Sequence, residues 1–312
     1  MWKNSVDIYL NLLTIILRGF HPSMKMLILG STGMLGMTLY RQAKREKITV
    51  IGAARSGADC NIDVTNETAL QSLIVNENPD IVVNTIAIVN LDYCEKNPAL
   101  AYLTNARPAS IVANICSKSD TSFIHISTDH YYTGDKRKRH TEKSPITLVN
   151  EYARTKYAAE WFARTDEKSL VIRTNIVGFK NKPENPTFVE WCIKMLTERT
   201  PATIFDDFYT SPIDVYRFSE ILLDLIEEGT TGVLNVAGKD VSSKKEFILE
   251  LADALNLDTS HTKTGSVHML TGMPRAESLG LNVKKAEKIL GYKMPETHDV
   301  INNLVNQYYA GD

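Results

Sequence analysis

Met26 to Gly36, MLILGSTGMLG, is the stretch whose reading decides the fold: a short apolar run stops at glycines and then opens a helix. Met26, Leu27, Ile28 and Leu29 read as a buried-type strand. Gly30, Gly33 and Gly36 follow in the spacing GxxGxxG. The spacing alone is a moderate signal, but between a strand and a helix it acquires a physical job. Gly30 permits the tight turn, Gly33 lets the backbone approach a pyrophosphate, and Gly36 lets the helix pack closely on the sheet. Amides at the start of that helix supply donors and a positive dipole end for phosphate.

The chain around it has 312 residues, enough for one large α/β domain or two smaller ones. Its 35 basic and 37 acidic residues are mixed along the sequence and leave a net charge of -2. No long-range field therefore recruits nucleic acid or an anionic membrane, and a small-molecule partner is expected. Cys60, Cys94, Cys116 and Cys192 contain no CxxC pair, which fits reduced thiols in a cytoplasmic protein. The histidines lack ligand spacing, so no metal is expected. Residues 1–23 stand in front of the first strand as an appendage or an over-called translation start, with a partner-binding amphipathic helix as the alternative. The apolar run Ile8 to Leu17 is about ten residues, too short to cross a bilayer, and does not read as a targeting signal.

Beyond the glycine loop, Ile48 to Ala54 is a second apolar strand, with Arg55 at its end. An acid at that position accepts from the ribose hydroxyl of NAD, whereas an Arg pairs with the 2′-phosphate of NADP. Arg55 thus favours NADPH, with NADH left open. Asp63 lies at a short third strand, Asn61 to Thr65. Two readings stand side by side: it accepts from an adenine amino group, or it caps the helix beginning near Asn66. Pro79 to Ala87 is a fourth strand, and one long amphipathic helix is expected from Asp92 to Ser117 with Asn105 in its middle. Ser122 to Thr128 is a fifth strand whose carboxyl end delivers Ser127, Thr128 and Asp129 to the crevice where open α/β sheets bind ligands. The alternation predicts a Rossmann-type doubly wound parallel sheet over residues 24–178. The basic run from Lys136 to His140 reads as a solvated loop.

Three tyrosines are followed four residues later by a lysine: Tyr40 with Lys44, Tyr132 with Lys136, and Tyr152 with Lys156. The first lies on the helix that the glycine loop opens, directed away from the ligand edge or into solvent. The second straddles Gly134 in a turn-like segment. Only Tyr152 and Lys156 share a helix face, within Asn150 to Ala163, and follow a strand with a hydroxyl donor, Thr128, at its ligand edge. A nearby cation favours the phenolate and brings a tyrosine toward a useful acid/base range. Thr128 suits a hydrogen bond to a carbonyl oxygen where negative charge develops.

The set of GxxGxxG loop, Thr128 and the Tyr152/Lys156 helix resembles the extended short-chain dehydrogenase/reductase family, closest to its dTDP-4-dehydrorhamnose reductases. The likeness runs through GSTGMLG at Gly30, VNTIAIVNLDYCE from Val83, STDHYYTGD from Ser127 and EYARTKYAAE from Glu151. It implies NADPH-dependent reduction of the 4-keto group of a nucleotide-linked 6-deoxysugar, with Thr128, Tyr152 and Lys156 as the catalytic trio and Tyr152 as proton donor. It further implies cofactor contacts from Gly30, Thr32, Gly33, Met34, Leu35, Gly36, Arg55, Asp63, Val64, Ala87, Asn105, Tyr152 and Lys156. Substrate contacts fall to Val89, Asp129, Asn175, Phe188 and Pro212. The segment Arg173 to Gly178 becomes a sixth strand beside nicotinamide and substrate. STDHYY stands where the family commonly has STDYVF, and an RPxxS-like segment survives only loosely as Met273 to Leu279, which leaves the sugar and base open. Another nucleotide-sugar reductase or epimerase is the first alternative; a non-catalytic NADP-binding regulatory subunit is the second. A homodimer is left open.

From residue 179 to 312 prolines interrupt the pattern, and a smaller α/β substrate-binding region, partly interleaved with the sheet, is expected. Its elements are a helix from Asn185–Phe188 to about Arg199, a strand Ala202 to Phe205, a loop Asp207 to Pro212, and helices near Val283 to Leu290 and His298 to Tyr309. Ser243 and Glu246 form a capping box before a further helix.

Overall fold

The computed structural model describes residues 24–311; the segment 1–23, expected as an appendage, lies outside the described residues. Strand β1 (Lys25–Leu29) is solvent-free from Met26 onward. Side chains alternate across a strand, so Met26 and Ile28 enter the core on one face of the sheet, and Leu27 and Leu29 enter the core on the other. An unbroken apolar run is what a parallel strand covered on both faces requires.

Strands β2 (Thr49–Ala54), β3 (Cys60–Asn61), β4 (Ile81–Asn84), β5 (Ser122–Ile126) and β6 (Leu170–Arg173) follow. Then come β7 (Ile176–Val177), β8 (Ala202–Phe205), β9 (Tyr209–Thr210), β10 (Ile213–Asp214), β11 (Gly232–Asn235), β12 (Ser242–Ser243), β13 (Thr262–Gly265) and β14 (Ser278–Leu279). Seven of them make one parallel sheet in the order β11-β6-β5-β4-β1-β2-β3. Strand order reverses between β1 and β4, the switch point at which an open α/β sheet forms its ligand crevice.

The helices are α1 (Met34–Arg45), α2 (Glu67–Glu77), α3 (Leu91–Lys96), α4 (Pro98–Asn105), α5 (Arg107–Cys116) and α6 (Glu151–Ala163). The second half adds α7 (Phe188–Thr197), α8 (Val215–Glu227), α9 (Lys244–Ala254), α10 (Lys284–Leu290) and α11 (Thr297–Ala310). Helices α1 and α8 pack together over one sheet face, and α2, α5 and α6 cover the other. A separate core joins Val177 and Phe179 to α7, α9 and α11 through Val189, Leu196, Phe247, Leu251, Val300 and Leu304. The capping box Ser243/Glu246 is formed at α9, and Thr187/Glu190 makes another at α7.

Three expectations are corrected, and one strand of the sheet carries no expectation from the sequence. The helix expected from Asp92 to Ser117 is three helices, because Asn97, at φ -132°, leaves the helical region and Pro98 starts α4, while Pro108 sits in the first turn of α5. Proline lacks the amide that would continue the preceding ladder. The third strand ends at Asn61, since Asp63 Oδ1 folds back to accept from the Thr65 amide and hydroxyl at 2.9 and 2.8 Å. The sixth sheet strand is Leu170–Arg173, not Arg173 to Gly178; Ile176–Val177 turns away to pair with β10. The seventh strand, β11, carries no strong signal in Gly232–Asn235, and it pairs along β6.

The helix α1 approaches β1 as closely as backbone allows. A Cβ at position 36 would lie 2.2 Å from the Gly30 carbonyl oxygen and 2.8 Å from its carbon. Backbone cannot swing aside as a side chain does, so Gly36→Ala should lower stability by about 1–3 kcal/mol, measured as the shift in thermal unfolding.

Candidate active site

The glycine loop opens a cleft of about 630 Å³ at the switch point. Gly30 has φ +89°, and a Cβ there would meet Thr85 Oγ1 at 2.7 Å and Ile86 Cγ1 at 2.9 Å. Only a bare backbone fits. Gly33 is the N-cap of α1 and supplies no side-chain acceptor, and no acidic residue lies in the first turn. Those amides are therefore available to an anion, as the helix N-terminus favours. Gly30, Thr32, Gly33, Arg55, Asp63, Val64 and Ala87 all line the cleft, together with Lys180 and Lys182. Such a cradle, with cations at its rim, fits a dinucleotide phosphate. Met34, Leu35 and Gly36 form the first turn of α1 behind the loop. Asp63 does not cap α2; that place belongs to Asn66, whose side chain accepts from the Ala69 amide at 3.1 Å.

Asn105 stands behind the cleft wall. Its Oδ1 accepts from the Ile88 amide at 2.7 Å, and its Nδ2 donates to the Ile88 carbonyl and to Thr155 Oγ1 at 3.1 and 3.2 Å. It is wholly buried. With these bonds it braces the Ile88 loop against α6 rather than presenting its amide to the cleft.

Helix α6 starts where Asn150 accepts from the Ala153 amide at 2.9 Å, which sets Tyr152 and Lys156 one turn apart on the face toward the sheet. Tyr152 packs against Cys94, Ala101, Ile88 and Leu91 on one side and meets the His130 ring edge-on at 5.5 Å on another. The Thr128 hydroxyl lies beside it and favours its ionised form, but burial dominates and pushes the phenol well above the ordinary tyrosine range. The expectation that Lys156 pulls the phenol down is thereby corrected. The ammonium is turned to the Ile126 carbonyl, 2.6 Å away, and burial brings Lys156 itself down to about 8.

Ser127 is corrected as well. It leaves the crevice and donates to Glu160 Oε1 at 2.6 Å inside a buried network. Glu160 also receives Arg173 through Nε at 3.1 Å and Nη2 at 2.7 Å, both residues being almost free of solvent. The pair fastens α6 to β6 and to the segment after β5, where Arg173 Nη1 donates to the Tyr132 hydroxyl at 3.2 Å.

Beyond Thr128, Asp129 Oδ2 accepts from Asn175 Nδ2 at 2.6 Å. Burial raises Asp129 to about 7 despite that bond and the nearby Lys244. His130 is lowered to about 4 by burial and by the charges of Lys244 and Arg275. These two cations also line an aromatic slot of about 160 Å³ with Phe188, Trp191, Phe205 and Phe208, and Lys244 Nζ stands 3.7 Å over the Phe188 ring. Val89 is exposed on its loop. Pro212 is buried, its carbonyl oxygen 2.3 Å from where a Cβ on Gly238 would lie.

Of the other Tyr/Lys pairs, Lys44 stacks over the Tyr40 ring at 4.3 Å, and Tyr132 stacks on His140 at 3.9 Å. The basic run is solvated only in part. Arg137 and Arg139 pair with Glu246 and Asp240, and His140 is buried beside Gly280 in a bridge to Leu281. Lys180, Lys182, Lys244 and Arg275 were not singled out by sequence. Only Arg275 left a trace, in the MPRAESL segment. Among the described residues no His, Cys, Asp and Glu cluster suits a metal, and no helix is long and apolar enough to cross a membrane.

A family model described as RmlD substrate binding domain matches residues 24–310. The dTDP-4-dehydrorhamnose reductase of Mycobacterium tuberculosis is 30% identical over 230 residues, covering 71% of this chain and 72% of that protein. Methionine adenosyltransferase 2 subunit beta of Xenopus laevis is 25% identical over 286 residues, covering 88% and 85%. The dTDP-4-dehydrorhamnose reductase of Bacillus anthracis, solved in complex with NADP, superposes with a TM-score of 0.82 at 23% identity over 91% of this chain and 99% of that one.

The raised Asp129 carries a stability consequence. Its native carboxyl holds a proton to about pH 7, whereas the unfolded one releases it near the ordinary value of 3.8. Between those values the native state binds the extra proton, so stability is full below the lower value and declines toward the upper. Asp129→Asn should be more stable than the parent at pH 8, and the difference should vanish by about pH 4, read by urea unfolding across pH.

Proposed function

The chain belongs to the RmlD substrate binding domain family, and from that premise we propose that it is an NADPH-dependent reductase of nucleotide-linked sugars, acting on the 4-keto group of a 6-deoxysugar. The observation that carries the reading is the position of Tyr152. It packs against the Ile88 wall of the glycine cleft on one side and against His130, under the influence of Lys244 and Arg275, on the other. A proton donor so set stands between a dinucleotide cleft and a slot whose aromatic rings and cations suit a base and a diphosphate.

Gly30, Gly33 and the first turn of α1 hold the pyrophosphate, and Arg55 pairs with the 2′-phosphate. When bound, NADPH supplies a hydride to the ketone carbon. Tyr152, kept protonated by burial, gives its phenolic proton to the carbonyl oxygen, so that the ketone becomes a hydroxyl. Thr128 donates to the same oxygen as its charge grows. Lys156, brought down to about 8 by burial, supports Tyr152 from the next turn. Asp129 and Asn175, locked to each other, bind sugar hydroxyls. Residues 24–178 supply most of the cofactor cleft together with Asp129 and Asn175, while residues 179–311 add Lys180 and Lys182 to the cleft rim and build the aromatic slot.

The similarity to a methionine adenosyltransferase subunit favours a second reading, a regulatory NADP-binding protein. NADPH absorbance with dTDP-4-keto-6-deoxysugar separates the two: turnover is expected, and NADPH binding without turnover of any 4-keto sugar nucleotide would turn the reading to the regulatory one. Tyr152→Phe should bind NADPH normally and lose about 10²–10⁴-fold in kcat. Arg55→Ala should weaken NADPH by about tenfold or more while leaving NADH nearly unchanged, measured by fluorescence titration.

A further inference from the structure

Beneath the catalytic helix lies a histidine that the mechanism above does not use. His125, in β5, is fully buried, and burial holds it neutral, well below the ordinary histidine range. Its Nδ1 lies 3.4 Å from Asn84 Nδ2, and its Nε2 lies 3.4 Å from Lys156 Nζ.

The orientation of the Asn84 amide is fixed from outside. Its Oδ1 accepts from the Ile86 amide at 3.1 Å, so Nδ2, which has only hydrogens to offer, must face the histidine. Nδ1 is then an acceptor, and a neutral imidazole with a bare Nδ1 carries its proton on Nε2. That Nε2–H points at Lys156. Facing an ammonium it would set donor against donor; facing an uncharged amine it meets a lone pair.

We propose that His125 is a positioning residue for Lys156: its Nε2–H, held in that tautomer by Asn84, favours the uncharged amine over the ammonium. The proposal rests on the reductase reading for its purpose but not for its geometry. It gives Lys156 a second reason, besides burial, to gain and lose a proton close to neutral pH, where a group assisting Tyr152 is most useful.

Other groups do not take this role. Glu160, one turn along α6, favours the ammonium, but its carboxylate is engaged by Arg173 and Ser127. Tyr152 on the same helix is held in its neutral form. Cys94 on α3 and Cys116 on α5, helices that pack against α6, have thiols kept protonated by burial. Arg173 on β6 is bound to Glu160.

Nitrogen-15 spectra of histidine-labelled protein test the tautomer without any turnover. The expected result is a neutral His125 with Nδ1 bare and Nε2 protonated; a proton on Nδ1, or an imidazolium at neutral pH, overturns the proposal. His125→Phe removes the donor and keeps a ring. Lys156, followed by the nitrogen-15 signal of its own amine, should then titrate about one pH unit higher, and the matching limb of the pH profile of kcat should move with it. His125→Gln, which keeps an amide donor, should restore titration toward the parent. An unmoved Lys156 in folded His125→Phe overturns the proposal, and if that variant does not fold the tautomer decides alone. Absence of ketone reduction in the parent would overturn the reductase reading while leaving the spectra and titrations readable.

Discussion

The carboxylate of Glu160 is the point on which the site is hung. It takes hydrogen bonds from Ser127 at the end of β5 and from Arg173 at the end of β6, and so ties the helix of Tyr152 and Lys156 to two adjacent strands. Burying two charges is costly, and the cost is offset only where the geometry is close and the remaining polar atoms are satisfied. Here the guanidinium engages both carboxylate oxygens and also donates to Tyr132 and the Glu142 carbonyl. Removing either partner would strand a charge in the core. The helix has little freedom to slide or rotate, so Tyr152 is held at the switch-point edge before any ligand arrives.

Around that anchor the site divides by chemistry. The glycine cleft offers bare backbone at Gly30 and Gly33 and cations at its rim, as suits phosphate groups. The far slot is aromatic with two cations. Between them the groups are desolvated, and desolvation disfavours whichever form is charged. It keeps the proton on Tyr152 and Asp129 and weakens the hold of Lys156 on its own. The phenol therefore keeps its proton beside an amine brought down to about 8 by the same dry surroundings.

The two halves of the chain are stitched rather than merely adjacent. Strand β11 from the second half extends the parallel sheet beside β6. Glu277 accepts from Thr133 and the Gly134 amide, both at 2.6 Å. Asn150, the cap of α6, donates to the Pro274 carbonyl. The segment around Arg275 is thus held to the same helix that carries Tyr152.

Local signals in the sequence determined the sheet class, the glycine turn and the Tyr152/Lys156 face, because each depends on periodicity, backbone sterics or spacing within a few residues. They also determined the capping box at Ser243, a contact three residues long. What depended on distant partners was decided by tertiary structure alone. Ser127 reads as a crevice residue until Glu160, thirty-three positions away, is seen to claim it. Asn105 reads as a ligand until Ile88 and Thr155 consume its amide. Lys156 reads as a cation lowering a phenol, yet its Nζ donates to the Ile126 carbonyl and the dry interior weakens its own hold on a proton. Side-chain identity and spacing are written in the chain; which polar atom each side chain meets, and how much water remains beside it, is fixed only when remote segments close over one another.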